Sequence, residues 1–217
     1  MTSGSEKQRR KAMQQAAEED MRRRGIPVTE SARERVFRMQ REERDRRSRY
    51  RAVTEKLISD EQGPALLWGL HGHMMMALSG ANPSNAFEQL QSLPTGYRVL
   101  LLLSGLQGEV DNGGYAQYFF NNTGKYALET LDALRTVGAD EYAVIHEEAL
   151  RLYQQALSNP QARTVLEHRD ESKFFDLAQN TPFADCDKRF HALRDGLERH
   201  ICDFARAHPE LYVHTIG

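Results

Sequence analysis

The sequence predicts an all-α protein, a compact multi-helix domain preceded by a long basic helical extension. Two observations give the fold class: apolar residues recur at helical spacing, in segments too long for typical strands, and Gly, Pro and Asn clusters separate those segments. A third gives the two-part organisation. The net charge of the 217 residues is only −2, yet residues 1–56 carry 17 Lys and Arg against 10 Asp and Glu, a balance of +7. The remaining residues carry 12 basic against 21 acidic side chains, a balance of −9. Near-neutrality therefore conceals a basic extension over 1–56 and an acidic domain over 57–217.

Composition narrows the class further. A hydrophobic content of 40% supports a core, and a charged content of 28% suits a protein in water. Cys186 and Cys202 form neither a disulfide framework nor a zinc motif, which fits a reducing cytoplasm. The opening MTSGSEKQRRK has no apolar core of a secretory signal. The run Val99 to Leu103 is far too short to span a bilayer, so no membrane partner is expected.

Within the extension, residues 1–24 are polar and helix-permissive, and Gly25 and Pro27 end them. Ser31 to Glu34 reads as a capping box opening a helix to about Ile58, with apolar spots at Val36, Phe37 and Met39 and at Tyr50, Val53 and Leu57. This arm reads either as a surface for nucleic acid or an acidic partner, or as a solvated helix held by pairs such as Glu42–Arg46 and Glu43–Arg47. An acidic partner includes the acidic half of its own chain or of a second copy.

Gly63-Pro64 opens the next helix, which runs to Leu78. His71, His73 and Met74 to Met76 invite a copper reading, but residues two apart on a helix diverge by about 200°. Core methionines with flanking histidines are expected instead. Pro83 to Leu93 reads as a short helix ending at Pro94. Thr95 then caps a buried helix reaching Val110, on which Gly105 and Gly108 share a face where another helix can come close. Asp111 to Gly114 is expected to stop that helix with a left-handed cap and a turn. Tyr115 to Phe120 restarts it, and Asn121 to Gly124 breaks it again.

A helix over Lys125 to Val137 turns Leu128, Leu131 and Leu134 inward, and Gly138 closes it. Asp140 to Leu157 is the next; its His146-Glu147-Glu148 is no zinc-protease box, because Leu150 stands where the second histidine belongs. A polar connection over Asn159 to Ser172 and a short helix over Lys173 to Gln179 follow. Asp185 to His208 reads as one terminal helix with Phe190, Leu193, Leu197, Ile201 and Phe204 at helical spacing.

Leu106 to Tyr126 organises the chain. Glu109, Asp111, Asn112, Gln117 and Asn121 read either as a polar pocket beside a tight turn or as groups that cap and satisfy the backbone of a broken helix. Glu109 and Asp111 are two apart, point to different sides, and make a poor acid–base pair. No nucleophile, metal set or cofactor loop is legible, so neither catalysis nor a cofactor is expected.

The same stretch, EVDNGGYAQYFFNNTG, resembles the DNA-mimic-protein-like family. The family pattern falls on Glu109, Asn112, Gly113, Gly114, Tyr115, Gln117, Phe119, Asn121 and Gly124, with Val137-Gly138-Ala139 one helix later. The final helix, ending ERHICDFARAHPELYV, is also similar. Tyr115 departs from the phenylalanine usual in the family, and Tyr212 departs near the end; both keep an aromatic. The resemblance covers about Leu57 to Val213. It implies an all-helical fold and, in the best-known member, an acidic surface that imitates DNA to occupy a DNA-binding protein.

Such a face is expected from acids recurring along predicted surface helices: Glu129 with Asp132, Glu141 with Glu148, and Asp195 with Glu198. One turn rises about 5.4 Å, of the order of the spacing of phosphates on one strand. DNA carries one charge per ~1.7 Å of axis, so ~30 Å of duplex holds ~18 charges. A balance of −9 reaches about half of that; a homodimer matches it. The expected function is non-enzymatic binding of a basic, DNA-binding protein. The alternative is a nucleic-acid-binding or scaffold role through residues 1–56.

Overall fold

The computed structural model describes residues 41, 50, 52–78, 86–160, 163–164, 183–193 and 196–213. Among them every regular element is helical, and the elements below belong to the unit Arg47–Gly217. The capping box at Ser31 to Glu34, the helix over Lys173 to Gln179, most of the Asn159 to Ser172 connection and Asp195 lie outside the described residues.

The helix expected to run unbroken to Ile58 does not. Thr54 is extended, and its Oγ1 accepts from the Leu57 N–H at 3.1 Å, so a new helix α1 starts there, Glu55–Asp60. Helix α2 (Gly63–Ala77) opens as expected at Gly63-Pro64. It buries Leu66, Leu70, His73 and Met74 as one stripe and leaves Trp68 65% exposed. The segment predicted as a helix from Pro83 is a 310 turn, Ala86–Ser92, with Ala86, Phe87 and Leu90 inward.

Helix α3 (Thr95–Phe120) is the axis of the domain. Val99 to Leu103, Leu106 and Val110 are all buried, because neighbours cover α3 on several sides. Pro94 rather than Thr95 precedes its first turn; the Thr95 hydroxyl accepts from Arg98 Nη2 at 3.1 Å instead. The expected stop at Asp111 to Gly114 is a kink, and the helix continues beyond it. Non-helical backbone is confined to Gly113 and Gly114, and the positive φ falls on Gly114 alone, at 71°. The second break is where the Asn-Asn-Thr-Gly run predicts it, as a 310 turn over Asn122–Tyr126.

Helix α4 (Ala127–Thr136) buries Ala127, Thr130, Leu131, Ala133 and Leu134. Leu128, expected inward, is 63% exposed: at about 100° per residue it lies well over 100° round the helix from the buried Thr130, Ala133 and Leu134. Gly138 ends α4 at φ 69°, with the Ala139 N–H on Leu134 O at 2.9 Å and the Gly138 N–H on Arg135 O at 3.1 Å. That double bond across a left-handed glycine is a Schellman cap. Helix α5 (Asp140–Ala156) packs against α4; His146 donates Nε2–H to Ala127 O at 2.9 Å.

The expected terminal helix is two. Helix α6 spans Ala184–Ala192 and α7 spans Gly196–Ala207. A glycine costs helix stability in mid-run, and the Leu197 N–H is taken by Tyr142 Oη at 3.1 Å, which fits a new start at Gly196. After α7 a 310 turn, Pro209–Leu211, brings the chain back onto α1 and α3. Tyr97 Oη donates to Tyr212 O at 2.9 Å, and Arg206 Nη2 donates to Glu61 O at 2.9 Å. No helix among the described residues is long and apolar enough to cross a membrane.

Candidate functional site

The kink in α3 is built by two glycines with different neighbours. A Cβ on Gly113 would collide with Gln117 Oε1, so Gly113 is the space into which Gln117 folds. A Cβ on Gly114 would lie 2.5 Å from Asp187 Oδ2. Asp187 comes from α6, and its Oδ1 accepts from the Tyr115 N–H at 2.7 Å. The half of α3 beyond the kink is thus a helix capped from another helix, 72 residues away. Burial raises the Asp187 pKa, opposed by that bond and by His191. Nothing local to Asp187 signals this role in the sequence. Gly124 serves close approach too, since a Cβ there would lie 2.6 Å from Phe119 Cα.

Glu109, one turn before the kink, gathers the rest of the signature. Its Oε2 accepts from Gln117 Nε2 and from Asn121 Nδ2, each at 2.7 Å. Among the described residues Glu109 has no ion pair. Glu109, Asn112, Gln117 and Asn121 line one cavity of about 540 Å³, whose walls include His71, Met75, Phe87 and Ser104. Asp111 is not with them. It lines a second cavity of about 370 Å³ with Trp68, Gln107 and Glu198, and stands 3.8 Å from His191 Nε2. The pocket reading and the structural reading of these polar residues therefore describe the same network. Glu109 Oε2 takes both amide nitrogens, and it does so on a cavity wall.

Gly105 and Gly108 do not admit a helix. A Cβ on Gly105 would lie 2.6 Å from the Phe87 ring, whereas one on Gly108 meets nothing within 4 Å, because it faces the cavities. His71 and His73 part company as expected. His73 is buried, with Nδ1 2.7 Å from Tyr50 O, while His71 lines both cavities and burial lowers its pKa. That position of His71, expected only as a flanking histidine, carries no sequence signal of its own.

The predicted acidic face separates into distinct environments. Glu129 and Asp132 on α4 and Glu141 on α5 are exposed. They, and Asp140 beside Glu141, pair with no basic side chain among the described residues. Glu148 is engaged instead, 2.6 Å from Arg189 Nη1 and 3.9 Å from Arg151. Glu198 belongs to the Trp68 cavity, and Asp195 lies outside the described residues. No group of three His, Cys, Asp or Glu able to hold a metal occurs among the described residues. Both cysteines are buried, which raises each thiol to about 11.

A family model described as DMP19-like protein matches residues 91–208, more than half of the chain. The match spans α3, the kink, the capping Asp187 and α7. No curated protein and no solved structure matches.

Proposed function

Starting from the chain's membership of the DMP19-like protein family, we propose that it is a non-enzymatic binding protein that works by DNA mimicry, its acidic helical surface occupying the basic face of a DNA-binding protein. The observation that carries this reading is the set of four exposed carboxylates, Glu129, Asp132, Asp140 and Glu141, on the paired helices α4 and α5 without a basic partner among the described residues. Unpaired carboxylates keep their full field for a partner, whereas Glu147 and Glu148 spend theirs on Arg135 and Arg189. The charge arithmetic calls for a homodimer, because one acidic domain holds about half the charges of the duplex it would imitate.

The test is affinity capture from a nuclease-treated lysate of the source cell. The wild-type chain is expected to retain a basic DNA-binding protein that high salt releases and that cannot hold DNA at the same time. The triple variant Glu129→Gln, Asp132→Asn, Glu141→Gln should lose most of that capture while remaining folded. Equal capture by the variant sinks the reading. So does direct, salt-dependent binding of duplex DNA by the chain itself with no protein captured, which favours the basic extension over 1–56 as the working surface.

A further inference from the structure

We infer that the cavity at the α3 kink is a receptor for a guanidinium group, taking the charged head and apolar stem of an arginine-like ligand. This goes beyond the surface reading and does not depend on it. Among the described residues the cavity wall includes one carboxylate, Glu109, and no Lys or Arg. His71 adds no charge near neutral pH, because burial lowers its pKa. The amides of Gln117 and Asn121 both turn their nitrogens to Glu109 Oε2. A carboxylate only accepts, so these orientations are forced, and each amide's carbonyl oxygen is left without a donor among the described residues. Glu109 Oε1 has none either. The polar wall is thus rich in acceptors and carries a net negative charge.

The opposite character comes from Met75, Ala86, Phe87 and Leu101, which also line the cavity. A ligand that suits both walls has several N–H donors and a positive charge at one end and an apolar stem at the other. Guanidinium matches a carboxylate oxygen flanked by amide oxygens better than an ammonium does, because its donors form a planar fork and its face can lie on an aromatic ring. Gly108, Asn112 and Asn122 at the wall are exposed, so the cavity is open to solvent. Its volume of about 540 Å³ is within the range of small-ligand sites.

The guanidinium can belong to a free metabolite or to an arginine of a protein partner. The full-length chain is titrated by calorimetry and NMR with Nα-acetyl-arginine methylamide, its citrulline counterpart and free L-arginine. Saturable binding of the arginine compound on the order of 1 mM is expected, with the neutral citrulline compound at least roughly tenfold weaker. Binding of free L-arginine at least as tight as that of the capped compound assigns the site to a free small molecule; much weaker binding of free L-arginine assigns it to a side chain on a peptide. Glu109→Gln should lose at least roughly tenfold in affinity. Because that change also touches the network, Gly108→Leu is the decisive variant. Its Cβ meets nothing within 4 Å, so a side chain there narrows the cavity without removing a bond. It should stay folded and lose binding. No saturable binding by the wild type, equal affinity for citrulline, or unchanged affinity in folded Gly108→Leu overturns the inference.

Discussion

Tyr115 shows how much one atom can matter in a packed site. Its ring is fully buried against Tyr118, Phe119, His146 and Phe190, and its hydroxyl has no hydrogen-bond partner among the described residues. A buried hydroxyl without a partner costs on the order of 1–3 kcal/mol. The ring earns its place by packing; the oxygen does not. Tyr115→Phe is therefore expected to raise stability by about 1 kcal/mol, read as a higher urea midpoint at unchanged slope. A lower midpoint would reveal a partner for the hydroxyl. At this scale the sequence was legible in chemistry and silent on pairing. Glu109, Gln117 and Asn121 stood out as polar groups in an apolar run, but only the kink brings the two amides onto one carboxylate oxygen.

At the level of elements, the glycine pair marked where α3 bends, while the reason the helix survives the bend lay elsewhere. Asn-Gly-Gly ordinarily ends a helix. Here Asp187 supplies the acceptor that a new helix start needs, and it sits on an element that no local pattern links to α3. Gly114→Ala should cost at least about 2 kcal/mol, from positive φ and from the approach to Asp187 at 2.5 Å. Asp187→Ala should cost about 1–2 kcal/mol as a lost cap. The double variant should cost less than the sum, because removing the carboxylate relieves the steric part of the first change. Strict additivity in chemical unfolding would show that the carboxylate and the glycine do not share one space. The same dependence on distant partners explains the other departures: Tyr142 takes the first N–H of α7, and Thr54 restarts a helix whose pattern ran on.

For the whole molecule, the fold class and the opposed charges were readable from periodicity and counting, which need no tertiary information. The division of the acidic surface was not. Whether Glu148 meets Arg189 depends on how α5 and α6 pack. Global stability should carry the mark of one histidine. Burial lowers the His146 pKa from 6.5 to about 4, partly offset by its bond to Ala127. The unfolded chain thus binds this proton more readily than the folded one. Stability from this group is complete above about pH 6.5, falls as pH drops, and levels off below about pH 4. At 1.36 kcal/mol per unit the loss is about 2 kcal/mol between pH 7 and pH 5. Urea unfolding across that range should show a smaller loss for His146→Gln, which has no such proton to take up; equal slopes would remove His146 as the cause.

The clasp between the two ends of the domain also has a consequence during synthesis. Tyr97 waits for the carbonyl of Tyr212, and Glu61 waits for Arg206. A chain emerging from the ribosome amino-terminus first has the leucine-rich face of α3 outside long before the segments that cover it exist. Until Tyr212 has been made, that face is a ready target for chaperones and for other nascent chains. Native yield is therefore expected to depend on how quickly α4 to α7 follow α3 out of the ribosome.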